Sequence, residues 1–193
     1  MNDFSAIQHI IQTRRTTKPH LINGKQIPED QVKELLHLAN WAPTHGLTEP
    51  WHFVVYAEEK VKEFCRQHAD LYQQHIPAEK FTADKYEKLL HMGDMASHVI
   101  IAIMQRGNLP NIPVLEEIAA AACAVQNILL GATALDISSY WGSGGMAYHP
   151  AMKTFLKLQA EDLVLGIIYL GYSDKTLTGR RNTPIHAKIT FIN

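Results

Sequence analysis

The sequence is short of most features that would assign a function by themselves. It has only two cysteines, Cys65 and Cys123, far apart and each in an apolar stretch of helical character. Neither has a CxxC or metal-type neighbour, so both are expected to be reduced core residues rather than a disulfide. Neither sign of charge is in excess: Lys and Arg number 18 against 19 Asp and Glu, a net charge of -1. That balance removes the basic surplus that a nucleic-acid partner requires. The opening MNDFSAIQHI carries an acid where a secretory leader carries positive charge and has no long apolar run. A reducing, cytoplasmic setting is expected. No GxGxxG follows a strand, so a Rossmann dinucleotide site is not expected; Gly142-Ser143-Gly144-Gly145 follows one with the wrong spacing. His98, His149 and His186 show no HExxH or similar spacing, so no metal is expected. Ser138, Ser139 and Ser143 lie in no GxSxG context, which argues against a hydrolase nucleophile.

One long apolar run is present. Ile118 to Leu135 reads IAAAACAVQNILLGATAL, with Gln126 and Asn127 at its middle and Glu116-Glu117 ahead of it. Ala is only weakly hydrophobic, and acids at a helix start complement the helix dipole. The segment is therefore expected to be a buried helix, or one packed between subunits, and not a membrane span.

The rest of the chain reads as alternating helices and strands, with no repeat. A first helix covers about Phe4 to Thr13, with Ile7, Ile10 and Ile11 on one face. Pro28-Glu29-Asp30 opens a second, to about Asn40. Trp51 to Tyr56 is rich in β-branched and aromatic residues and predicts a strand. Two polar helices, about Glu58–Gln74 and Ala78–Met92, precede a stretch that reads as a fully buried strand, His98 to Met104. After the Ala-rich helix come a short strand at Ile137 to Trp141, a helix from His149 to about Leu158, a buried strand at Leu163 to Leu170, and a tail with strand character at Lys188 to Ile192. Helices first, then strands separated by helices of differing length, indicate an α+β sandwich rather than a βαβ series. At 193 residues the chain is expected to be a single domain, 1–193.

Four places carry candidate chemistry. Arg14, Arg15 and Thr16 end the first helix; two forked guanidiniums and a hydroxyl suit a phosphate. Basic residues in a last turn also simply offset the helix dipole. The block Trp41 to Phe53 joins a helix end, a polar loop containing His45, and a strand start, a geometry that can hold side chains against a ligand ring; Trp51 and Phe53 equally suit a core, with His52 facing outward. Ser143-Gly144-Gly145 exposes backbone N–H groups after a strand, as an ordinary Gly-rich turn also does. Arg180 and Arg181 form a second basic pair, a phosphate clamp or a solvated patch.

In order and spacing, the RRTT after the first helix, AP-T-H-x-x-x-x-PWHF at Ala42 to Phe53, the Ala-rich helix, YWGSGG and GIIYLGY resemble the short form of the nitroreductase family over almost the whole chain. The resemblance implies a three-layer-like α+β sandwich with a mostly antiparallel or mixed sheet, assembled as a homodimer with FMN at the subunit interface. The long helix would pack in that interface and the tail near Lys188 to Ile192 would reach the partner. Arg14, Arg15 and Thr16 would hold the phosphate and the flavin's polar edge, with Arg181, or Arg180, as second phosphate ligand. Trp41 and His45 would touch flavin, in one reading from the other subunit. Trp141, Gly142 and Ser143 would line the ring, with a backbone N–H near Gly144 toward N5. The implied activity passes hydride from NADH or NADPH through flavin N5 to a small acceptor such as a nitroaromatic or quinone, with no side-chain catalyst required. Flavin reductase activity, a non-catalytic flavin-binding protein and an interaction protein built on the apolar helix are the alternatives. The sequence departs from the pattern at Leu47 and Glu49, and at Trp41 and Gly142, where short relatives often carry a basic residue that would tune the flavin potential.

Overall fold

The structure is a computed structural model that describes residues 2–192. In chain order the elements are α1 (Asp3–Thr13), α2 (Glu29–Ala39), β1 (Trp51–Ala57), α3 (Glu59–His75), α4 (Ala83–Leu90), β2 (His98–Met104), α5 (Val114–Ala134), β3 (Ser138–Gly142), α6 (Pro150–Phe155) and β4 (Leu163–Gly171), with short 3-10 turns between them. The strands form a four-stranded sheet in the order β1-β2-β4-β3. Every neighbouring pair is antiparallel.

The sheet is sandwiched, and the apolar strands report it. All of β2 is buried, because both its faces are covered. Val99, Ile101 and Ile103 enter one core with Phe64, Cys65 and Met146. Ile100 and Ala102 enter the other with Val32, Leu35, Val125 and Ile128. Helices α3, α4 and α6 therefore lie on one face and α2 and α5 on the other, the expected α+β three-layer arrangement. The side-chain period of two on a strand is what divides the cores.

Local chemistry sets the boundaries. Asn2 caps α1, its Oδ1 accepting the Ser5 N–H at 2.8 Å. Pro28 and Pro113 stand just ahead of α2 and α5, each followed by acids in the first turn. The polar helix expected over Ala78–Met92 is broken: a 3-10 turn, Ala78–Lys80, precedes α4, and Phe81 and Thr82 are extended between them. The Tyr72 hydroxyl holds this break, donating to the Lys80 carbonyl at 3.2 Å and accepting the Thr82 N–H at 3.1 Å. The expected tail strand at 188–192 does not form within the described residues; Ile185–Lys188 is a 3-10 turn and the residues after it are exposed and unpaired. Cys65 is buried as expected, but Cys123 is exposed. Apolar faces also remain uncovered: Phe4, Ile7 and Ile11 on α1, and Leu115 on α5, are exposed.

The helix Val114–Ala134 is long and apolar enough to cross a membrane, yet 44% of its most apolar window is buried inside the fold. Among its exposed residues, Leu115, Ala119, Cys123 and Gln126 recur every three or four positions and form one stripe, while the opposite side packs on α2 and the sheet.

Candidate functional site

The chain after α1 runs along the free edge of β3. Thr16 makes a parallel bridge to Ser139, and the Thr17 N–H donates to the Ser139 carbonyl at 2.9 Å. This joins the helix-end cluster to the strand that leads into the Gly-rich turn.

Arg14 and Arg15 are both half-buried. One terminal nitrogen of Arg15, Nη1, donates to the carbonyls of Gln12 at 2.7 Å and Arg14 at 2.8 Å. Its Nε is buried and has no partner among the described residues, an uncommon state for so strong a donor. Gly179 of the tail lies directly on this guanidinium, where any side chain would collide. The neighbouring Arg180 and Arg181 are exposed, and Arg181 Nη1 donates to the Arg180 carbonyl at 3.1 Å. The tail segment that carries the second basic pair thus reaches Arg15 through Gly179. Arg15 also lines a cleft of about 610 Å³ between α1, the end of α5 and residues 175–177.

Two further clefts open on the other side of β3. One, of about 300 Å³, is lined by Tyr140, Gly142, Gly144 and Gly145 together with His68 and Lys88. The next, of about 420 Å³, is lined by Lys18, His20, Met95 and again Lys88 and Tyr140. They share a wall and form a basic channel: Lys18, Lys85, Lys88 and His91 line it, without an acidic lining residue.

The turn between them is built for close approach. Gly145 has φ +65 and packs against the His68 imidazole, so only glycine fits in both conformation and space. Over Gly144 there is open space. Among the described residues no protein acceptor takes the N–H of Gly144 or Gly145. His68 is buried; its Nε2 accepts the Met146 N–H at 2.8 Å. Desolvation lowers its pKa to about 4, with a smaller push from Lys85, so the ring is neutral near pH 7.

The expected ring-lining set is only partly assembled within one chain. Gly142 and Gly144 line the cleft, whereas Ser143 is exposed and does not. Trp141 is not among the residues lining this cleft: strand alternation turns it to the opposite face from Tyr140, where its Nε1 donates to the Leu165 carbonyl at 3.1 Å. Tyr140 takes the place in the cleft. Trp41 and His45 line none of the three clefts. His45 Nδ1 instead bonds Glu116 at the start of α5, at 2.6 Å. The loop carrying them is fixed by its own contacts, Thr44 Oγ1 accepting the Glu49 N–H at 3.1 Å. Leu47 and Glu49 adopt positive φ, 55 and 43, in it, a conformation that non-glycine residues hold only when the surroundings impose it. It displays Trp41 and Leu47 to solvent at 76% and 82% exposure.

Lys18, Lys88, Tyr140 and His68 are the lining residues that sequence reasoning missed. Lys18 continues the Arg14–Arg15 basic run, and Tyr140 shares the parity of Gly142 along β3, so both had a signal. Lys88 and His68 lie on helices that read as merely polar.

Comparison with known proteins gives a consistent result. The profile of the Nitroreductase family matches residues 11–172. A Bacillus subtilis protein, YfhC, whose name assigns it provisionally to the NAD(P)H nitroreductases, is 24% identical over 192 residues, covering 98% of this chain and 96% of its own. A nitroreductase-like family protein of Bacillus cereus superposes with a TM-score of 0.80 at 26% identity, covering 100% of this chain and 98% of its own. The FMN-dependent nitroreductase NfnB of Mycobacterium smegmatis, solved in complex with NADPH, gives 0.74 at 16% identity, with 100% of both chains covered. With the family profile spanning most of the chain, and the fold and the order of its motifs in agreement, this protein belongs to the Nitroreductase family.

Proposed function

We propose that the chain is an FMN-dependent NAD(P)H oxidoreductase, one domain over residues 1–193 acting as a homodimer on small organic acceptors of the nitroaromatic or quinone kind. The observation that carries this reading is the buried Arg15 Nε, unpartnered among the described residues, beneath Gly179 of the tail. A phosphate is the group that such a donor set fits, since guanidinium matches its geometry and charge.

The residues present fit FMN. Arg14, Arg15 and Thr16, with Arg181 or Arg180, would hold the phosphate and adjacent polar atoms. Trp141, Gly142, Ser143 and Gly144 would meet the ring, Trp141 from the opposite face of β3, the free N–H groups of the turn supplying donors toward N5. Lys18 and Lys88 supply positive charge to the channel, which compensates for the absence of a basic side chain at Trp41 and Gly142 and favours the reduced, more anionic flavin. Trp41 and His45 are proposed to act on the partner's site, because their loop is exposed, conformationally fixed and remote from the clefts of its own chain. Bound FMN would take a hydride from NADH or NADPH and pass it to the acceptor, while the protein's part is to bind, orient and exclude water.

The exposed apolar residues of α1, the stripe on α5, and Ile185, Ile189, Phe191 and Ile192 of the tail support a covering second copy. That reading makes α5 an interface helix rather than a membrane span. The two unpaired thiols suit a reducing cytoplasm.

Purified protein should be yellow, and NADH or NADPH should bleach it anaerobically. A colourless protein that does not take up FMN overturns the reading. A yellow protein that neither nucleotide bleaches is a flavin-binding module and not an enzyme. Stopped-flow rates with the two nucleotides, and with a nitroaromatic, a quinone and free flavin as acceptors, assign the donor and separate the flavin-reductase alternative.

A further inference from the structure

The geometry points to a role for His68 that the reaction scheme above does not use. We propose that His68 is a positioning residue for the Gly-rich turn: its Nε2 accepts the Met146 N–H and so fixes the backbone of residues 143–146 with the N–H groups of Gly144 and Gly145 left free for the flavin. This inference rests on the reading of that turn as flavin-facing.

Four observations support it. His68 reaches the turn from α3, its Nε2 2.8 Å from the Met146 nitrogen, and lines the same cleft as Gly144. It also forms the floor beneath Gly145, whose left-handed conformation and lack of Cβ let backbone and imidazole touch. Phe64 supports the imidazole from the same helix, ring centroids 5.6 Å apart. With Nε2 accepting, a neutral ring carries its proton on Nδ1. That atom is buried without a partner, and a packed core residue would not retain a polar ring with one orphaned nitrogen unless the other were needed. Burial keeps the ring neutral, so the acceptor lone pair persists at neutral pH.

An acceptor held rigidly beneath the turn determines where its free donors point. Loss of the acceptor leaves the Met146 N–H unsatisfied and lets the backbone rotate, so the donors lose their aim even if the flavin stays bound. A misplacement of this size is enough to slow a reaction that depends on positioning.

The test compares His68→Phe, which keeps an aromatic ring without an acceptor, with His68→Gln, whose amide oxygen restores one. Three quantities are measured: FMN affinity of the apoprotein by fluorescence, the rate of anaerobic flavin reduction at saturating flavin and nucleotide, and the nucleotide KM. His68→Phe is expected to weaken FMN binding and slow reduction by about tenfold or more, with KM within about twofold. His68→Gln is expected to recover most of both losses. Equal behaviour of the two variants, or parent-like behaviour of His68→Phe, overturns the role. If His68→Phe does not fold, hydrogen exchange of the unsubstituted apoprotein decides: the Met146 amide must be protected like a core amide, and exchange at the rate of the exposed loops overturns the proposal. A parent protein that binds no FMN fails the flavin reading itself, a result distinct from any of these.

Discussion

Replacing Glu117 by Ala should destabilise the fold strongly, and the size of the effect follows from its surroundings. The Glu117 side chain is 1% exposed and that of Arg106, which donates to it through Nη1, is 13% exposed. Glu117 also accepts the Gly107 N–H at 3.1 Å. Arg106 continues the network: Nη2 donates to the Ile112 carbonyl at 2.8 Å, and its backbone N–H to Asp162 at 2.9 Å. The pair therefore ties the end of β2, the 105–113 loop, the start of α5 and the turn before β4. Removing one partner strands a largely buried guanidinium and a backbone donor, at a cost of about 3–5 kcal/mol. For a chain of this size that corresponds to a fall in Tm of roughly 6–20 °C. Calorimetry at fixed protein concentration, as the proposed homodimer requires, measures it. Removing both charges with Arg106→Leu and Glu117→Leu should cost clearly less, because the desolvation penalty of both ions disappears with them. A Glu117→Ala protein within 1 kcal/mol of its parent, or a double variant worse than the single, would refute the reasoning.

Other outcomes follow from the same geometry. Arg15→Ala removes the donor set at the proposed phosphate site; charge-assisted bonds of about 1.5–3 kcal/mol predict FMN binding weaker by about 10- to 150-fold in fluorescence titration, with little change in turnover at saturating FMN, and unaltered affinity would show that the phosphate lies elsewhere. Gly145→Ala forces a side chain into a left-handed site against His68 and should cost at least about 1–2 kcal/mol in denaturant unfolding, together with loss of flavin; a neutral result would mean that the turn is not held there. His68 has a pKa of about 4 in the fold against 6.5 in the unfolded chain. Its contribution is therefore complete above pH 6.5 and declines as pH falls toward 4, by about 3 kcal/mol in all. His68→Gln should flatten that slope, and an unchanged slope would assign it to other groups. Cys65, buried and with its thiol pushed up to about 11 by desolvation, should resist thiol reagents. Cys123 lies on the exposed stripe of α5, so labelling should slow at protein concentrations where sedimentation shows a dimer. Full reactivity in the dimer would remove α5 from the interface.

What the sequence determined by itself was most of the elements and their layering, though not the break within 78–92 or the absence of a strand at 188–192. The uninterrupted apolar run of β2 signals a strand covered on both faces, and Pro28 and Pro113 with their following acids mark helix starts, because these are local effects of period, φ and dipole. The order of motifs also indicated the family. The helix-end arginines, however, looked alike whether they served a phosphate or the helix dipole. Only the tertiary structure set Gly179 on Arg15, Thr16 beside Ser139, and Lys18, Lys88 and Tyr140 around one cleft. The alternation of β3 was legible, but which of Tyr140 and Trp141 faces the cleft depended on which face the helices cover. In the same way the break at Phe81–Thr82 required the hydroxyl of Tyr72, and the role argued for His68 required α3 to lie under a turn 78 residues further along the chain. Such pairings are decided by burial and long-range contact, which no local pattern encodes.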